Sequence, residues 1–138
     1  MTDIKVYADG GSRGNPGPAA IGVVVGEKEY AQCIGKATNN VAEYQAAVLA
    51  LKKTRSLLGK EKLKNISVTV HMDSELVVKQ LTGQYKILEH DLQPYFLEIW
   101  NLKFDFPHLN FLHIPREKNV RADRLVNKAL DGDSARLL

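Results

Sequence analysis

The chain's 138 residues, 44% hydrophobic and 25% charged, suit a single globular domain over residues 1–138, and its one cysteine excludes an internal disulfide, in keeping with a reducing compartment. A formal charge of +3 and a pI near 9.0 admit a polyanionic partner, but 19 basic against 16 acidic side chains is too mild an excess to identify one. No window approaches the roughly 18 apolar residues of a membrane helix, and Met1 leads straight into an alternating segment; no membrane partner or secretion signal is expected, and the cytoplasm is the expected location.

Apolar alternation predicts strands over Ile4 to Ala8, Ala20 to Val25 and Glu29 to Ile34. Cys33, within the apolar stretch Ala31 to Ile34, reads as a small buried thiol. The segment from Gly10 to Pro18 matches neither glycine pattern of nucleotide cofactor sites. It is a tight turn, either a plain hairpin or one that lets backbone approach a bulky polyanion. Val41, Tyr44, Val48 and Leu51 predict a helix over Val41 to Leu58, with Asn40 and Glu43 spaced as a capping box. A strand over Ile66 to Met72 follows, then helices over Ser74 to Leu81 and Asp91 to Phe104, the latter with Pro94 in its first turn. A fifth strand, Leu109 to Ile114, precedes a last helix over Val120 to Leu130, with Asn119 as a candidate cap and 131–138 as a tail. The order βββαβααβα predicts an α/β fold: a five-stranded mixed sheet with helices on both faces.

That order has a consequence for the acidic residues. Two tight antiparallel connections make the first and third strands parallel, and right-handed crossovers keep the fourth and fifth parallel to them. Asp9 just past the first strand, Glu43 at the start of the first helix, Asp73 just past the fourth strand and Asp123 early in the last helix then meet at one sheet edge. Open α/β sheets bind ligands at that edge. Each acid alone could equally be a helix cap or a solvated carboxylate; the set of four points to function. Crowded carboxylates repel, and two divalent cations would cancel four charges. All-oxygen ligation suits Mg²⁺, with Mn²⁺ as a substitute, and the chain lacks the soft ligands of a zinc site. Two such ions suit phosphodiester hydrolysis.

The blocks Asp9-Gly10-Gly11-Ser12 with Asn15-Pro16-Gly17, Thr38-Asn39-Asn40 with Glu43, Asp73-Ser74, and His113 followed by Asp123 resemble ribonuclease HI, which hydrolyses the RNA strand of RNA/DNA hybrids. The resemblance spans nearly the whole chain. It implies a ribonuclease H-like fold and an RNA/DNA hybrid partner. It implies that Asp9 bridges two metal ions, that Glu43 and Asp73 complete one site, and that Asp123 completes the other. It places His113 as a mobile histidine that assists proton transfer or product release, against the alternative of a strand-end histidine bonded to structure. Asn15, Asn39 and Asn40 resemble amides that contact ribose 2′-hydroxyls and base edges in the minor groove, although Asn40 could instead cap its helix. Lys36 and Thr38 resemble a pocket for a DNA-strand phosphate, although Lys36 could be simply solvated.

His71, His90 and His108 read as structural or solvated, and the basic group Lys52, Lys53, Arg55, Lys60, Lys62 and Lys64 as solvated surface. One departure from the family is plain: where many members carry an extra basic helix, the handle, Leu81 to Asp91 here holds only Lys86 as a cation. Fewer phosphate contacts predict weaker binding. Three alternatives stay open at this stage. One is an enzyme acting also or mainly on double-stranded RNA, another a non-catalytic hybrid-binding module, and the last a domain of a larger reverse transcriptase or fusion, against which the start at Met1 argues. A monomer is expected.

Overall fold

The computed structural model describes residues 1–136. Strands β1 (Thr2–Ser12), β2 (Gly17–Val25), β3 (Lys28–Ala37), β4 (Ile66–Met72) and β5 (Leu109–His113) form one sheet in the order β3-β2-β1-β4-β5. β2 runs antiparallel to both its neighbours, while β1, β4 and β5 are parallel, which sets the carboxyl ends of β1, β4 and β5 on one edge as expected. The helices are α1 (Asn39–Leu63), α2 (Glu75–Leu81), α3 (Gln93–Leu102) and α4 (Val120–Arg136).

Strand alternation explains why helices cover both faces. Val6, Ala8, Ile21, Val23, Val68, Val70 and Met72 form one face and are buried with Tyr44, Ala47 and Leu51 of α1 in the main core. On the other face, Ala20 of β2 packs with Val126 and Leu130 of α4 in a smaller cluster. Gly22 sits beneath α4, where an added Cβ would come within 2.6 Å of the Ala122 carbonyl oxygen, so only a glycine allows the helix so close.

Several element boundaries differ from expectation. β1 continues to Ser12, so Asp9 lies inside the strand opposite Gly22 instead of beyond its end. The glycines there carry no apolar signal, yet their backbone pairs normally. α1 starts at Asn39, and its cap is Thr38, whose Oγ1 accepts from the Val41 amide at 3.2 Å. The Asn40–Glu43 capping box does not form, because Glu43 turns toward β1 instead. α1 also extends past Leu58 to Leu63 through a kink at Gly59. α3 is shorter than predicted and ends in a 3-10 turn, Lys103–Asp105.

α4 runs on to Arg136, so most of the expected tail is helical; 137–138 lie outside the described residues. A glycine inside a helix costs only about 1 kcal/mol, and an Arg13–Asp131 ion pair of 2.6 Å holds the turn that contains Gly132. The Asn119 side chain does not cap α4: its Nδ2 donates to the Ala8 carbonyl at 3.1 Å. Cys33 is exposed, because β3 is an edge strand that α4 covers only in part; its Sγ lies 3.2 Å from the Ala129 carbonyl.

Candidate functional site

Asp9 from β1, Glu43 from α1 and Asp73 beyond β4 each bring a carboxylate oxygen to one point, all within 4.8 Å of one another. The approach of α1 to β1 makes this possible. A Cβ on Gly10 would lie 2.3 Å from the Ala42 carbonyl carbon and oxygen, so glycine is required where the helix meets the strand. The Gly10 amide then donates to Glu43 Oε1 at 2.8 Å and fixes that side chain beside Asp9. Asp123 stands outside this group of three. It is half-buried on α4 and lines the same open cavity of about 400 Å³, with the Asn127 amide donating to its carbonyl at 3.1 Å.

Burial pushes the Asp9 carboxyl up to about 7, with the charges of Asp73 and Asp123 adding to the effect. Burial, and then Asp9, also hold Glu43 well above the usual carboxylate range. Glu43 Oε2 is buried with no hydrogen-bond partner. Among the described residues the only cation paired with these acids is Arg116, whose Nε lies 3.8 Å from Asp73 Oδ2 on an exposed side chain. Clustered oxygen donors, an unsatisfied buried oxygen and little compensating charge fit a hard divalent cation. Asp9, Glu43 and Asp73 could hold one.

The polar residues predicted around the acids lie at two hollows, except for Lys36 and His113. Asn39 and Asn40 line the cavity. The Asn39 Oδ1 accepts from the Ser12 amide at 2.9 Å, and the Asn15 Oδ1 accepts from the Asn39 amide at 3.0 Å, which ties the β1–β2 turn to the start of α1. Both carboxamides thereby keep their NH₂ groups as donors. Asn15, Thr38 and Asn40 border a second hollow together with Glu89 and Asp91. Lys36 is exposed on β3 and does not line that hollow. His113 pairs in register with Met72, the residue before Asp73, but its side chain is exposed and does not line the cavity. His71 is structural, as expected: its Nδ1 lies 3.0 Å from the Val6 carbonyl, and its ring stacks on Tyr7 at 4.6 Å.

Sequence reasoning assigned no role to Arg13, Ser74 or Arg116, all of which line the cavity. Ser74 follows Asp73 and caps α2 through its Oγ, a signal visible in the Asp73-Ser74 pair. Arg13 and Arg116 carried no periodic or spacing signal.

A family model described as reverse transcriptase-like matches residues 8–129. Over 134 residues the chain is 40% identical to ribonuclease HI of Halobacterium salinarum, covering 93% of this chain and 64% of that protein. It is also 40% identical over 135 residues to a bifunctional protein of Mycobacterium tuberculosis, covering 93% of this chain but spanning only 35% of that relative's length. Among solved structures, a ribonuclease H1 isolated from compost superposes with a TM-score of 0.90 at 48% identity, covering 96% of this chain and 99% of that one. The same compost enzyme has been solved in complex with an RNA/DNA hybrid (TM-score 0.89, 47% identity, 94% and 98% coverage).

Proposed function

The chain belongs to the type 1 ribonuclease H family, and from that premise we propose that it is an endonuclease hydrolysing the RNA strand of RNA/DNA hybrids. The observation that carries this is the convergence of Asp9, Glu43 and Asp73 at the carboxyl edge of the sheet, with Asp123 lining the same cavity. A buried acidic cluster of this kind is poorly suited to a polyanion unless cations intervene. Two Mg²⁺ ions, replaceable by Mn²⁺, would be held by these four carboxylates, and when bound they supply activation of a water and neutralisation of charge on the phosphodiester.

The chain's own groups orient the substrate. The free NH₂ groups of Asn15 and Asn39, with the amide of Asn40, donate to ribose 2′-hydroxyls and base edges across the minor groove. The Thr38 Oγ1 accepts from the Val41 amide, which leaves its hydroxyl proton free to donate to a phosphate of the DNA strand. Lys36 adds charge to that contact from outside the hollow. His113, exposed at the end of β5, moves a proton through its imidazole to or from the reacting groups once substrate fills the cavity. The chain acts as a monomer in the cytoplasm and folds as a single domain.

The test compares one sequence as RNA/DNA hybrid, double-stranded RNA, double-stranded DNA and single-stranded RNA in Mg²⁺. Hybrid should be cut fastest, and an isolated ribonucleotide in DNA poorly, because the amides contact sugars on both sides of the cut. Faster cutting of double-stranded RNA would replace the substrate assignment. Hybrid binding without cutting in Mg²⁺ or Mn²⁺ would leave a non-catalytic module.

A further inference from the structure

We infer that Asn119 is a positioning residue for this site, a crosslink that holds Asp123 in place relative to Asp9; the inference rests on the hydrolytic function proposed above. Asn119 is 1% exposed and directly precedes α4. An asparagine in that position ordinarily turns its side-chain oxygen back onto the amides of the helix's first turn. Here the Oδ1 is buried with no hydrogen-bond partner, while the Nδ2 reaches across 111 positions of sequence to the Ala8 carbonyl at 3.1 Å. The residue forgoes the local cap in favour of the distant contact, and leaving an acceptor buried and unpaired makes that arrangement costly.

Both ends of the crosslink touch the site. Ala8 immediately precedes Asp9, and it lies one residue past Tyr7↔His71, the last pair of the β1–β4 ladder. The Asn119 carbonyl accepts from the Asp123 amide at 3.1 Å, and the Asn119 amide donates to the Arg116 carbonyl at 2.9 Å. One residue thus joins the strand that carries Asp9, the turn that carries Arg116 and the first turn of the helix that carries Asp123. Asp123 is the acid that stands apart from the other three, and α4 meets β1 much less than it meets β2. Packing on β2 sets where α4 lies, and the Asn119–Ala8 bond adds a direct tie from the first turn of that helix to the strand that carries Asp9. Residues that orient metal-binding groups from behind typically alter metal affinity or activity by roughly 10- to 100-fold when changed.

The test uses Asn119→Ser, which can cap α4 but is too short to reach Ala8, and the near-isosteric Asn119→Asp, which replaces the donor with a carboxylate oxygen. kcat and KM are measured on RNA/DNA hybrid, and Mn²⁺ affinity is measured by paramagnetic relaxation of solvent water in the absence of substrate. For variants with a parental circular dichroism spectrum, kcat should fall roughly tenfold with KM within about twofold, and Mn²⁺ affinity should fall roughly tenfold. The same substitution made on an Asp123→Asn background should leave Mn²⁺ affinity unchanged from that background. Parental kcat and Mn²⁺ affinity, an equal loss of affinity on the Asp123→Asn background, or loss of the folded spectrum in both variants would each overturn the inference. Failure of the hydrolytic assignment looks different: the parent chain would cut nothing, while the Mn²⁺ measurements would still report on Asn119.

Discussion

At the scale of single residues, the buried acids dominate, and their protonation sets a testable pH dependence. The Asp9 carboxyl titrates at about 7 in the folded chain against 3.8 as its ordinary value. Between these values the folded chain binds a proton that the unfolded chain has released, so without metal this group's contribution to stability falls as pH rises through that window and is at its worst above it. Asp9→Asn removes the penalty. The metal-free variant should melt on the order of 5 °C above the parent at pH 8 and close to it near pH 4, by differential scanning calorimetry. Mg²⁺ should stabilise the parent and not the variant, and hydrolysis by the variant should be nearly abolished. A variant with parental turnover and an unchanged circular dichroism spectrum would remove Asp9 from the mechanism. His113 calls for a different measurement, because its side chain is exposed and outside the cavity. His113→Ala should slow hydrolysis by about 10² with metal dependence unchanged, and equal rates from pH 6 to 9 would make the histidine structural.

At the scale of elements, close backbone approach on the two sheet faces brings the acids together. Gly10 admits α1 on one face and Gly22 admits α4 on the other. Gly22→Ala should therefore destabilise the chain by about 1–3 kcal/mol in urea unfolding, because the new methyl meets backbone that cannot rotate away. Activity should fall further than stability requires, since the displaced helix carries Asp123. A variant with parental stability and rate would show that α4 shifts freely. These approaches were not legible locally. Gly10 and Gly11 of β1 read as turn residues, yet they pair with Ile21 and Ala20 as ordinary strand. The Asn40–Glu43 spacing resembled a capping box, but Thr38 caps α1 and Glu43 bonds to Gly10, a contact 33 positions away in sequence.

At the scale of the whole molecule, the connection 82–92 between α2 and α3 contains no helix, as its sequence suggested, so no basic handle stands beside the cavity. Three basic side chains of α1 are paired with acids: Lys52 with Glu98, and Arg55 and Lys60 with Asp105. Glu89 and Asp91 border the hollow beside Thr38 and oppose a phosphate there. Hybrid affinity should accordingly fall along a shallow line of log K against log salt, and Lys36→Ala should flatten it further. A slope near the roughly −10 of strong DNA binders would reveal a basic contact surface elsewhere.

By itself the sequence determined the order of strands and helices, because apolar side chains repeat at the period of the element they occupy. From that order, the hand of crossover connections was enough to predict that Asp9, Glu43, Asp73 and Asp123 approach one sheet edge. Only the tertiary structure decided how they meet there. It brings three of them within ligand distance and sets Asp123 apart, leaves Glu43 Oε2 without a partner, exposes Cys33 at the sheet edge and sends the Asn119 amide to Ala8. The physical reason is range. Periodicity reports what a residue does within one turn or one strand, whereas burial and hydrogen bonding at this site join groups 33 to 111 positions apart, and their geometry exists only once the sheet and both helices have packed.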